Sequence, residues 1–69
     1  MIFVFKTSVK SKREVERLAP HIAHALPNAK WNFDLQDIDN ILRIDADEDI
    51  IDSITGLMRS YSHACEELD

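Results

Sequence analysis

The alternation of hydrophobic and polar positions predicts four strands. The β-branched and aromatic run Ile2–Thr7 is apolar on both faces at first, which is typical of a strand in the centre of a sheet. Apolar and polar residues alternate over residues 30–36, which predicts a strand with one buried face and one wet face. Ile41–Asp45 predicts a third strand. A period of two over His63–Leu68 predicts a short, charged edge strand, for which a helix running to the C-terminus is the alternative.

The first of two helices is predicted to begin at Ser11. Ser11 and Glu14 have the spacing of a capping box, in which the serine hydroxyl accepts from the Glu14 amide and the Glu14 side chain reaches back to Ser11. Pro20 removes one helical hydrogen bond, so we expect a kink or an opened turn there, and Pro27 ends the helix. One apolar stripe at helical spacing contains Val15, Leu18, Ala19, Ile22 and Leu26.

The second helix is predicted to open with the three acidic residues 47–49. Asp47 is placed to cap it, and negative charge suits the positive end of the helix dipole. Residues 27–28 and 37–40 are predicted turns. The apolar stripe of this helix contains Ile50, Ile51, Ile54, Leu57, Met58 and Tyr61.

The element order β-α-β-β-α-β predicts a ferredoxin-like α/β (α+β) two-layer sandwich over residues 1–69. Right-handed crossovers place the third strand between the first and second, which gives an antiparallel sheet with strand order 4-1-3-2. Both helices then cover one face. On the other, open face we expect Trp31, the aromatic residues of the first strand, or both, to be partly exposed.

Composition narrows the class of protein. Sixty-nine residues make one small domain, and Cys65 is the only cysteine, which favours a reducing compartment. The apolar run at residues 1–5 is too short for a signal peptide, and no run approaches the roughly 20 residues of a membrane span. We therefore expect a cytoplasmic protein that does not associate with a membrane.

Charge is divided unevenly along the chain. Residues 1–30 carry six basic and two acidic side chains, whereas residues 31–69 carry two basic and eleven acidic ones, for a net charge of −5. This division predicts a basic patch on an acidic surface. The negative total argues against a nucleic-acid partner, since domains that bind nucleic acid are usually basic.

Over almost its whole length the chain resembles the heavy-metal-associated domains, which are small copper-chaperone-like modules of this fold. Those domains carry Met-x-Cys-x-x-Cys after the first strand and an apolar residue four places after the second cysteine. Val15 matches that apolar residue, and this alignment puts Ser11 and Ser8 at the two cysteines and Lys6 at the methionine. Two further segments are similar: the hairpin of residues 31–36 and 41–44, and the last turn and strand, residues 61–66.

The resemblance fails at the metal ligands. A thiolate pair is what holds a soft ion such as Cu(I), and serine hydroxyls are hard, weak donors. Several cationic side chains around Ser8 and Ser11 would also repel a metal ion. We therefore predict no metal site at this loop and no cofactor, and expect a domain that has kept the family's scaffold without its ligands.

The same loop has the chemistry of an anion site. Free amides at a helix N-terminus, two hydroxyls and several cations predict a small anion, or the carboxylates of an acidic protein partner, as the ligand. A capped helix start with solvated lysines explains the same residues without a ligand. A partner could also use the open sheet face. We call the following residues the basic loop: Lys6, Ser8, Lys10, Ser11, Lys12 and Arg13.

The alternative function is metal binding or transport through other ligands, shared across a dimer or within one chain. The candidate ligands are His21, His24, His63 and Cys65. Two neighbouring glutamates should disfavour the Cys65 thiolate. No glycine-rich phosphate loop or nucleophile elbow is present, so we expect no enzyme. The oligomeric state and the identity of a partner stay open at this stage.

Overall fold

The computed structural model describes residues 1–68; Asp69, the last residue of the predicted domain, lies outside them. The elements are β1 (Ile2–Thr7), α1 (Lys12–Ala25), β2 (Lys30–Asp34), β3 (Ile41–Asp45), α2 (Ile51–Ser60) and β4 (Cys65–Glu67). The four strands form one sheet in the order β2-β3-β1-β4, and all neighbours are antiparallel. This is the predicted order 4-1-3-2 counted from the other edge, so the α+β architecture and the central position of β1 are confirmed.

The core lies between the two helices and one face of the sheet. Phe5 is paired with Leu42 across β1 and β3, and both side chains are fully buried. The predicted helical stripes supply the other layer, because their central residues are the buried ones. The cluster contains Phe5, Val9, Leu18, Ile22, Leu26, Leu42, Ile44, Ala46, Ile50, Ile54 and Met58. These contacts account for a two-layer arrangement.

The prediction that Trp31 or the β1 aromatics lie on the open face is wrong. Phe3 and Trp31 are both opposite Ile44, which is fully buried, and directly opposed residues share a face of the sheet. Both aromatic side chains therefore pack against the core from the helix side. The error has a physical source: β1 is apolar at every position up to Phe5, so its sequence does not indicate which face is covered.

Helix α1 begins as predicted. Ser11 is the N-cap, with φ −134° and ψ 154°, and its Oγ accepts from the Glu14 amide at 3.2 Å. The helix continues through Pro20, which is exposed, and ends at Ala25. The stripe residues Leu18 and Ile22, on either side of Pro20, are buried and anchor both halves of the helix to the core.

The predicted start of α2 is wrong. Asp47 does not cap it; the helix begins at Ile51, and its N-cap residue Ile50 provides no side-chain cap. Instead, Asp49 Oδ1 accepts from the Ile51 amide at 3.0 Å. Because Ile50 is buried in the core, the chain enters the helical layer only at that residue, and the preceding acids lie in the connection from β3.

The strand predicted over 63–68 is confirmed as β4, although it spans only Cys65–Glu67. Within residues 1–68, neither helix has the length and apolar character needed to cross a membrane.

Candidate functional site

The connection between β1 and α1 is fixed at its start by the hairpin between β2 and β3. The Thr7 amide donates to the carbonyls of Asp39 and Asn40, each at 3.2 Å, and the Thr7 hydroxyl donates to the Asn40 carbonyl at 2.7 Å. The Val9 amide in turn donates to the Thr7 hydroxyl oxygen, and the Val9 side chain is fully buried. The basic loop therefore leaves the sheet in one fixed direction.

Ser8 fastens this loop to the segment before β4. Its amide donates to the Ala64 carbonyl at 3.2 Å, and its Oγ accepts from the Ala64 amide at 2.9 Å. The same Oγ lies 3.2 Å from His63 Nδ1. The turn that presents His63 passes through Ser62, whose φ of 65° is left-handed, and the His63 amide donates back to the Met58 carbonyl.

A polar chain continues from His63 to the start of α1. His63 Nε2 lies 3.6 Å from Glu14 Oε2, and the Ser11 hydroxyl is 3.3 Å from Glu14 Oε1, to which it donates. Glu14 thus reaches the Ser11 side chain and not its backbone, which corrects the second half of the predicted capping box. The structure brings both predicted serines into one network, Ser8–His63–Glu14–Ser11.

This network resembles a nucleophilic triad in composition but not in setting. The Ser8 oxygen already accepts from a backbone amide, and the grooves lined by Leu26 and Ala46, by Trp31 and Ile44, and by Val15 and Phe33 include neither Ser8 nor His63. An activated serine needs an adjoining space for substrate and donors for an oxyanion. With His63 only 17% exposed at the side chain, the arrangement is suited to fastening three segments together.

The cations of the basic loop differ in their surroundings. Lys6 Nζ lies 3.7 Å from Asp39 Oδ1, which neutralises it in part. Lys10, Lys12 and Arg13 are exposed, and no carboxylate of residues 1–68 forms an ion pair with them. Three positive charges without an ion-pair partner among residues 1–68 therefore lie together, Lys10 on the connection before α1 and Lys12 and Arg13 in the first turn of α1.

The other candidate metal ligands are not brought together. His21 Nδ1 lies 3.0 Å from the Tyr61 hydroxyl, and the two rings are 4.6 Å apart, whereas His63 contacts Ser8 and Glu14. His24 is exposed on α1. Among the described residues, no three His, Cys, Asp or Glu side chains are grouped as a metal site would require. Tyr61, predicted as part of the buried stripe, is 39% exposed and stacks on His21 instead.

Sequence reasoning did not find the role of His63. It lies 55 residues from Ser8, and no local pattern reports a contact across that distance. A signal was present in the predicted strand order 4-1-3-2, because it places the last strand beside β1. That placement brings the turn to the end of β1, where Ser8 is.

Burial controls the chemistry of Cys65. The side chain is half-buried against the core, and this desolvation raises the pKa of the thiol from 9.0 to about 11. The sequence pointed to the neighbouring glutamates as the cause, and the structure shows burial instead. The folded state holds the proton more tightly, so the stabilisation that the neutral thiol provides is present below pH about 9 and is lost as the pH rises through about 11.

Alkylation by iodoacetamide should therefore be slow at neutral pH. We expect the rate to rise about tenfold per pH unit and to level off only near the pKa of about 11, since the thiolate is the nucleophile. Mass spectrometry of timed samples measures it. The chain unfolded in urea is the matched control and should level off near pH 9.0. A plateau for the folded chain at or below that pH would contradict the burial argument.

Comparison of the chain with protein-family models, with curated proteins and with solved structures finds no match. The residues of the basic loop and their surroundings are therefore the basis on which a function is assigned.

Proposed function

We propose that the chain is a small, non-catalytic binding module with a ferredoxin-like fold, a divergent heavy-metal-associated domain without thiolate ligands, which binds an acidic protein partner through the basic loop. The observation that carries this proposal is the contrast within the loop. The hydroxyls of Ser8 and Ser11 are used in internal hydrogen bonds, whereas the cations Lys10, Lys12 and Arg13 are exposed and without ion-pair partners in residues 1–68.

Several contacts support a ligand of negative charge. Each of the two serine oxygens accepts a hydrogen bond from a backbone amide, which leaves fewer lone pairs to coordinate a cation. A metal ion at the loop would also meet three positive charges at short range. A carboxylate avoids both obstacles, because it is attracted by the positive charges and accepts hydrogen bonds from ammonium and guanidinium groups.

The rigidity of the loop favours recognition. Binding costs the entropy of ordering the surface that binds, and a surface already fixed in the free protein avoids part of that cost. Thr7 and Val9 fix the start of the loop, and the Ser11 cap fixes its end. Only the side chains of the three cations remain to be ordered.

The open sheet face is a weaker candidate for the partner surface. Its charged groups lie close to one another: Arg43 Nη1 is 3.6 Å from Asp34 Oδ2, and the amino group of Met1 is 3.5 Å from Asp45 Oδ1. A partner would have to compete with these contacts. The basic loop requires no such exchange at Lys10, Lys12 or Arg13.

Amide chemical shifts would test the proposal. A peptide of alternating Glu and Asp residues, and separately inorganic phosphate, are titrated into the labelled chain, and shifts should concentrate at Ser8–Arg13. The double variant Lys10→Glu/Lys12→Glu should weaken peptide binding about tenfold or more, since an exposed charge pair contributes about 0.2–1 kcal/mol and reversal adds repulsion. Raised salt should weaken binding of the unmodified chain.

The matched control is Arg17→Glu/Arg59→Glu, which changes the net charge by the same amount outside the loop. It should leave most of the affinity intact. Equal weakening by both double variants would show attraction to net charge and no defined site. If neither probe moves the amides of Ser8–Arg13, the proposal is wrong. Saturation by phosphate with no response to the peptide would identify a small anion as the ligand and overturn the acidic partner.

A further inference from the structure

The outer edge of β2 is open. Among residues 1–68, β2 pairs only with β3, so its other side presents a row of backbone amides and carbonyls, which is a template for a further strand. Natural sheets usually blunt such an edge with proline, a bulge or charged side chains; β2 has no proline, pairs with β3 in an unbroken register and carries charge only at its ends, at Lys30 and Asp34. A groove of about 540 Å³ runs beside it, lined in part by Val15, Phe33 and Leu35.

The sequence of β2 is complementary to itself. When the strand Lys-Trp-Asn-Phe-Asp is laid antiparallel to a second copy about Asn32, Lys30 is opposite Asp34 of the second copy and Trp31 is opposite Phe33 of the second copy. Each asparagine then faces the other at the two-fold axis. Two opposite-charge pairs and two aromatic pairs result, and both kinds of cross-strand pair are stabilising.

The faces of the two sheets also agree in this register. The two residues of each proposed pair are separated by an even number of positions in the sequence of β2. Their side chains therefore lie on the same face of the joined sheet, and their backbone amides and carbonyls have the same orientation relative to the edge. Trp31 and Phe33 face the helix layer in each copy and are half-buried. Their rings already meet edge to face at 6.0 Å and 80°. A second copy would continue this contact into a cluster of four rings.

The other edge of the sheet lacks this property. β4 has three residues, and its antiparallel pairing with a second copy about Glu66 would place the two Glu66 side chains opposite each other and Glu67 opposite Cys65, with no opposite-charge pair. Lys30 at the β2 edge is exposed, and no carboxylate of residues 1–68 forms an ion pair with it, whereas its proposed partner Asp34 already lies 3.6 Å from Arg43 Nη1 and would share its carboxylate between the two cations. Charge complementarity therefore selects β2, and it selects a second copy of this chain as the occupant.

We infer that the protein forms a symmetric dimer by antiparallel pairing of β2 with β2, which joins the two four-stranded sheets into one. Such an isologous contact closes on itself and leaves the blunt β4 edges outermost. It also adds buried apolar area to a domain of 8.0 kDa, a size at which one core gives little stability. The paired strands contain no residue of the basic loop, which extends from Lys6 in β1 to Arg13 in the first turn of α1, although its Lys12 lines the groove beside β2.

Sedimentation equilibrium over a range of concentrations tests the dimer. The unmodified chain should show twice the mass of 8.0 kDa. Lys30→Glu alone places like charges opposite each other at two symmetric positions, and Asp34→Lys alone does the same with positive charges. Each should raise the dissociation constant on the order of tenfold to a hundredfold.

Mixing the two single variants gives the decisive result. In the heterodimer every charged pair is again opposite in sign, so an equimolar mixture should regain the dimer mass. That recovery also shows that both variants fold. Hydrogen exchange should slow with concentration at Trp31–Phe33 and stay constant at β4. A monomer at millimolar concentration, a dimer that neither variant weakens, or a mixture that stays monomeric overturns the inference.

Discussion

Replacing both Ser8 and Ser11 with cysteine is expected to raise the affinity of the chain for Cu(I) by several orders of magnitude. Two thiolates three residues apart on the loop would supply the soft ligands that the hydroxyls lack. His63 Nδ1 lies 3.2 Å from the Ser8 oxygen, which places an imidazole next to the new sulfur. Competition with a coloured Cu(I) chelator under reducing conditions measures the gain, and dissociation constants below about micromolar are expected.

The control for this variant is Ser8→Ala/Ser11→Ala, with Cys65→Ser added to every form so that the native thiol does not contribute. The alanine pair removes the same hydroxyl contacts and should gain no affinity. Removing His63 in the cysteine variant should then lower the gain in part. If the cysteine pair takes up no more Cu(I) than the alanine pair, the alignment of Ser8 and Ser11 with the family's cysteines is wrong.

Phe5→Ala is expected to bring the domain close to unfolding. Phe5 is fully buried in the central strand and is paired with Leu42, which is also fully buried. Removing a buried phenyl ring costs about 3–5 kcal/mol, through lost transfer energy and the cavity that remains. A domain of this length has a total free energy of unfolding of about 3–10 kcal/mol. Urea unfolding followed by tryptophan fluorescence measures the change.

Ile38→Ala provides the comparison. Ile38 is 94% exposed at the hairpin between β2 and β3, so its removal should change the free energy of unfolding by less than about 0.5 kcal/mol. A loss below about 1 kcal/mol for Phe5→Ala would mean that the described core is not the one that stabilises the protein.

The fold was accessible from the sequence because hydrophobic period and chain connectivity decide it. The stripe through Leu18 and Ile22 has helical spacing, and the alternation at Trp31 and Phe33 has strand spacing, so each element could be assigned from neighbours in sequence. The handedness of crossovers then leaves one strand order. The start of α2 was misplaced because three consecutive acids all suit a helix N-terminus, and only the burial of Ile50 decides among them.

The site was accessible only in part. The role of Ser11 could be predicted from Glu14, three residues away, and the structure contains the predicted N-cap hydrogen bond. The predicted strand order places β4 beside β1, but the contact of Ser8 with His63 also depends on the left-handed turn at Ser62, which sequence period does not reveal. The same holds for the self-complementary sequence of β2. The sequence itself shows it, but it matters for pairing only because the topology places β2 at an edge of the sheet.

The central position of β1 has a consequence for how the protein folds as it is made. β1 leaves the ribosome before both strands with which it pairs, because β3 begins at Ile41 and β4 begins at Cys65. The apolar strand β1 therefore has at least one edge without a partner strand until β4 has been synthesised. Closing such distant pairs is slow, so the nascent chain is exposed to association with other chains until the last strand arrives.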